Sequence, residues 1–284
     1  MKNIFLLVIT FITTNIAISQ NTNNIINKET LNKVKEREKI KSNKIKACKV
    51  YGYIYRNGKW DENGNLAQYY NYDLNGNLIT SISYNQDGGI DVKVISKYDE
   101  KSNKIQDIGY NPDGTIEYTE DYKYDKKGNL LENTYFRTDK TAYYIGIAKY
   151  DSIGNHIQDI VYKHKSVIES KSEYIYDNNG NKIETIIYNQ DGTKGSNYKF
   201  KYDNNGNKIE EIRYEGDGLS GKKIVWEYDK DGNKISETRY KTDNSIDKKY
   251  TFKYDKGNVV EIVWWNTKTN VPKKLSKYTY EYYK

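Results

Sequence analysis

The sequence predicts an all-β fold of tandem antiparallel β-hairpins, and three observations carry that prediction. A Tyr-Asp pair recurs at a fixed interval of 26 residues, from Tyr72-Asp73 through Tyr98-Asp99 and onward to Tyr254-Asp255. A constant period of this size marks units that bury their apolar face only against their neighbours. Each period also contains two turn phrases rich in Asp, Asn and Gly, and between them residues alternate apolar with polar, the period of a strand. Two strands per period give about 17 strands over the chain. Their expected arrangement is an elongated or coiled open sheet, or a partial β-shell, covering residues 49–284.

The chain opens MKNIFLLVITFITTNIAISQ: a single Lys2, an apolar run and then small residues. That order predicts a signal peptide over 1–19 with cleavage after Ser19, and hence export to the periplasm, cell surface or exterior. Thr13, Thr14 and Asn15 break the run before it reaches the ~20 residues of a membrane span. The chain carries a net charge of +7, which falls to +6 once Lys2 is removed with the signal. Lysines and acids are interspersed, so the excess reads as a solvated face, and nucleic-acid binding is disfavoured. Cys48 is the one cysteine, so no internal disulfide forms. Residues 20–48, rich in Asn and Lys, read as a flexible or weakly helical leader. Tyr51, Tyr53 and Tyr55 then alternate as a first strand.

Residues 176–201, YDNNGNKIETIIYNQDGTKGSNYKFK, serve as the type unit. The pairs Asp73/Gly76, Asp125/Gly128, Asp177/Gly180, Asp203/Gly206 and Asp229/Gly232 are read as structural turns, with Asp accepting from nearby amides and Gly supplying a positive φ. Two positions before each tyrosine the residue is mostly aromatic (Tyr70, Tyr122, Tyr174, Phe200, Trp226, Phe252), and the position between is mostly charged. One face of the sheet is therefore aromatic and the other cationic or polar. An Ile-rich column (Ile105, Leu131, Ile157) and a later Tyr-rich column (Tyr110, Phe136, Tyr162) have opposite parity, which implies a bulge between them or outward-facing isoleucines. The 31 tyrosines are expected to pack ring on ring.

The phrase YDxxGN, as in YDLNGNL, YDKKGNL and YDKDGNK, resembles the YD-repeat (Rhs-like) family over roughly Trp60 to Tyr280. Trp60-Asp61-Glu62-Asn63-Gly64-Asn65 looks like a shortened first copy. The resemblance implies hairpins wound into a spiral β-shell that in large members encloses cargo. This chain has Gly-Asn where the family's commoner turn has Gly-Arg, and it ends at Lys284 without the Pro-rich region and effector domain of those members. The YNQDGT turns also resemble MORN-type hairpins, with an accessory or antitoxin-type role as that alternative.

Candidate chemistry is sparse. His156 and His164 lie in no nucleophile, zinc or phosphate-loop motif, and His156 shares a column with Lys and Leu, which predicts a surface position. The Asp-rich turns lack the downstream bidentate Glu of a calcium loop, so no metal and no cofactor is expected. The adjacent Trp264 and Trp265 must point to opposite faces, and one of them is a candidate ligand-stacking ring. The reading that follows is a non-enzymatic exported scaffold that binds protein or carbohydrate; the alternative is a secreted hydrolase with an unrecognised site.

Overall fold

In the computed structural model, residues 28–164, 166–215, 218 and 220–284 are described. The predicted signal peptide lies outside them. Helix α1 (Lys28–Ser42) precedes nineteen strands. The first are β1 (Ile45–Arg56), the short β2 (Lys59–Trp60), β3 (Asn65–Tyr72), β4 (Leu78–Tyr84), β5 (Ile90–Tyr98) and β6 (Lys104–Tyr110). Next come β7 (Ile116–Tyr124), β8 (Leu130–Arg137), β9 (Ala142–Tyr150), β10 (His156–Lys163), β11 (Val167–Tyr176) and β12 (Lys182–Tyr188). The last are β13 (Lys194–Tyr202), β14 (Lys208–Glu215), β15 (Ser220–Tyr228), β16 (Lys234–Tyr240), β17 (Ile246–Asp255), β18 (Asn258–Asn266) and β19 (Val271–Tyr282).

Consecutive strands from β3 to β19 pair antiparallel, and β1 then bonds to both ends of the series. Cys48 stands opposite Tyr280 of β19 on one side and opposite Tyr70 of β3 on the other. The sheet is therefore a closed ring of eighteen strands, with β2 a side hairpin on the end of β1. This corrects the expected open or coiled sheet. An open sheet would leave two rows of unpaired backbone groups, and inserting β1 between the ends satisfies both. At ~4.8 Å between strands and a tilt near 40°, eighteen strands enclose a lumen about 35 Å across, backbone to backbone. Among the described residues, strand backbones approach only their neighbours in the ladder.

Seven of the turns closing the Tyr-Asp end share one hydrogen-bond pattern. The aspartate accepts from the amides two and four residues on, and its second oxygen accepts from the Asn side chain of the phrase, all at 2.7–3.1 Å. The glycines Gly76, Gly128, Gly180, Gly206 and Gly232 have φ between 74° and 87°, a region costly for a residue with a Cβ. Register shifts fall beside the tyrosine of each pair, as between Lys97 and Tyr98 against Gln106 and Lys104. The extra residue there is Ile105, and with Leu131, Ile157, Ile183 and Ile235 it is exposed on the outer surface.

Candidate ligand-binding lumen

Alternation sends one set of side chains inward and the other outward along every strand. Burial pushes the phenols of Tyr72, Tyr98, Tyr122, Tyr124 and Tyr150 well above the usual tyrosine range, which marks theirs as the lumenal face. The opposite face carries Lys123–Glu132 at 2.6 Å, Lys201–Glu210 at 2.7 Å and Lys253–Glu261 at 2.9 Å, cross-strand ion pairs that circle the outside.

Ring-on-ring packing accounts for only part of the tyrosine content. From Tyr98 to Tyr254 the tyrosine of each pair instead donates its hydroxyl to a backbone carbonyl twenty residues back, as Tyr98 to Leu78 at 3.0 Å, Tyr124 to Lys104 at 2.8 Å and Tyr228 to Lys208 at 2.8 Å. Phenylalanine could not make that bond, which explains why tyrosine recurs there.

Above this layer, some of the hairpins carry an ion pair with spacing i, i+3. Lys104 meets Asp107 at 3.1 Å, Lys208 meets Glu211 at 3.0 Å and Lys234 meets Glu237 at 3.0 Å. His156 takes the same position, with Nε2 at 2.7 Å from Asp159 and its ring between Tyr150 and Tyr174. Its side chain is 16% exposed, so the predicted surface position is wrong. The Lys/Leu column to which it belongs faces the lumen, because the bulge at the following residue reverses the parity there. His164 lies in a turn at φ 50°, its ring edge-on to Tyr143.

The two walls of the lumen differ. On the N-terminal side, Asp107 accepts from Ser96 at 2.5 Å and Tyr122 at 2.8 Å, and Glu120 accepts from Asn133 at 2.6 Å. Burial raises the Glu120 carboxyl above its ordinary range, and its hydrogen bonds only partly offset that. On the C-terminal side, Trp226 donates Nε1–H to Glu237 at 3.0 Å, and Arg239 reaches the same carboxylate at 2.7 Å. Burial works against the Glu237 charge, but Lys234, Arg239 and Trp226 outweigh it and hold the carboxyl below its usual range. Beyond it, Tyr250 stacks on Trp264 at 6.2 Å.

The structure thus separates the two candidate tryptophans. Trp264 pairs with Tyr250 and Lys274 on the lumenal face, while Trp265 points outward and donates to Thr251 Oγ1 at 2.9 Å. Sequence reading missed Arg239, Tyr250 and Lys274 as neighbours of Trp264; strand parity was the available signal, but the cross-strand register was not. The turn aspartates line the rim, their oxygens engaged by amides. Among the described residues, no cluster of three or more His, Cys, Asp or Glu is arranged to hold a metal ion.

No family model and no curated protein matches the chain. Among solved structures, a porin-like protein from Bacteroides uniformis aligns over 84% of this chain and 98% of its own, at 9% identity and TM-score 0.45. A chain of a TcdB2-TccC3-TEV structure aligns over 75% of this chain at 12% identity and TM-score 0.36. A TcdB2-TccC3 structure aligns over 80% at 16% identity and TM-score 0.31. This chain spans 13% of the length of each of those two. Barrel closure is read from the strand pairing alone.

Proposed function

We propose that the protein is an exported, non-catalytic β-barrel, a short divergent relative of YD-repeat shells, that binds a glycan or protein ligand in its lumen. The observation that supports this reading is the distribution of side chains. Aromatic rings, hydroxyls and paired charges line the inside of a wide ring, and exposed Lys–Glu pairs cover the outside. His156 repeats the role that lysine plays in sister hairpins, which favours a structural hydrogen bond to Asp159 over catalysis.

A lipid-spanning barrel is the second reading, favoured by an outward aromatic row that includes Tyr110, Tyr188 and Trp265. Against it stand the alternate strands β4, β6, β8, β10, β12, β14 and β16, of only seven or eight residues, and outward charges such as Asp121, Glu173 and Lys199. A membrane strand needs about 9–11 residues, and a lysine facing lipid at the midplane costs roughly 2–4 kcal/mol. The mature protein should therefore remain in solution without detergent.

The test is binding by the mature protein to a panel of neutral and acidic polysaccharides and envelope proteins, with polymer length followed over time. Retention without shortening supports the reading. Cleavage that disappears in His156→Ala establishes the hydrolase instead.

A further inference from the structure

In the neighbouring hairpins of the C-terminal wall, cations that lie over aromatic rings have their own acid. Lys208 lies 4.6 Å from the Trp226 ring and pairs with Glu211; Lys234 lies 4.3 Å from Phe252 and pairs with Glu237. The last hairpin departs from this arrangement, as do Arg137 and Lys163 over Tyr143 on the far wall. Trp264 has three ammonium groups near its indole ring, Lys273 at 4.7 Å, Lys274 at 5.3 Å and Lys248 at 6.0 Å. None of the three is in an ion pair among the described residues. The acid's position is taken by Ile262, opposite Phe252 where Glu237 stands opposite Trp226. Arg239, paired with Glu237, lies 5.6 Å over Tyr250, the ring stacked on Trp264.

Like charges gathered on one indole repel each other, and an anion relieves that repulsion. Flat aromatic faces bind the apolar face of a sugar ring, and ammonium groups beside them suit its carboxylate. Building on the lumen-binding reading, we propose that the β15–β19 wall is a site for an acidic polysaccharide. Trp264 and Tyr250 serve as stacking platforms, and Lys248 and Lys274 hold the carboxylates. The lumen is wide enough to admit a polymer chain.

The experiment titrates the mature protein with polygalacturonate, and separately with dextran as a neutral polymer, by calorimetry. Polygalacturonate should bind, weaken as salt rises, and lose about tenfold or more in affinity in Trp264→Ala, the change that one contact of roughly 1.4 kcal/mol carries. Lys248→Gln with Lys274→Gln should lose as much, and these two partly or wholly exposed positions keep the test valid if the tryptophan variant does not fold. Trp265→Ala, facing out, should bind as the parent does. Unchanged affinity in the lysine variant overturns the site. Equal affinity for dextran overturns the acidic-sugar class, while the lumen reading survives if Trp264→Ala still weakens binding. Absence of polygalacturonate binding overturns this proposal, and the wider panel then judges the lumen reading separately.

Discussion

At the scale of single residues, each letter of the YDxxGN phrase has a separate physical task. The tyrosine ties its strand to the neighbouring hairpin through a carbonyl, the aspartate gathers amides, and the asparagine closes the loop onto the aspartate. Removing one such bond costs about 0.5–1.5 kcal/mol, and leaving a buried acceptor empty costs more. Tyr124→Phe should therefore destabilise by about 1–2 kcal/mol, and Asp125→Ala, which strands several donors, by about 1–3 kcal/mol. Urea melts of the two variants check the order. Cys48 is tested differently. Burial raises its thiol to about 11, partly offset by Tyr280, so little thiolate forms near neutral pH. Alkylation in the folded protein should be slow and become fast only in denaturant; fast labelling of native protein would place Cys48 at an open seam.

At the scale of elements, the hairpins were legible and their closure was not. The 26-residue register exposes β3 to β18 because the same phrase closes every second turn between them, and β19 repeats their aromatic column at Tyr278 and Tyr280. Strand β1 carries none, only alternating tyrosines, so Val50 could be read as a strand residue while its partners Tyr278 and Gln68 could not. The shortened copy at Trp60 has a similar history: Trp60 pairs with Tyr55 in the side hairpin, outside the ring. The lumenal site was half legible. Adjacent tryptophans on opposite faces follow from strand geometry, but the lysines around Trp264 come from β17 and β19, and cross-strand register decides which of them meet it. Because β1 holds both ladders, Val50→Pro should remove pairing from the whole ring and cost about 3 kcal/mol or more. Small-angle scattering should show an expanded molecule; an unchanged radius would mean that β3 and β19 remain joined without β1.

At the scale of the whole molecule, pH and cooperativity report on closure. Tyr228 and Tyr278 are pushed up to about 12 by burial, and Tyr72, Tyr98 and Tyr124 rise further in the same direction. Below pH ~10 these phenols are protonated in both folded and unfolded chains, so their contribution to stability is intact. As pH rises past that value the unfolded chain ionises and the folded one does not, so stability should fall steadily from about pH 10 to 12. Melting temperature against pH, with tyrosinate absorbance, measures this; gradual ionisation near pH 10 without unfolding would show that the lumenal face is wet.

A closed ring also has no end to fray, which changes what a turn mutation should do. In an open stack, damage in a late hairpin would unzip few neighbours and cost less than damage in the middle. Here Gly154, between β9 and β10, lies far from the seam, and Gly232, between β15 and β16, lies nearer to it. Both have positive φ, 94° and 80°, and both face open space apart from Asn207 Oδ1 at 3.9 Å from a Cβ at Gly232. Valine at either position therefore adds backbone strain of about 1–3 kcal/mol and little else. In a ring the two losses should match, each in a single cooperative transition. A smaller loss or a separate early transition for Gly232→Val, seen by denaturant melts with two spectroscopic probes, would mean that the β1–β19 seam opens before the rest and that the barrel behaves in solution as an open stack.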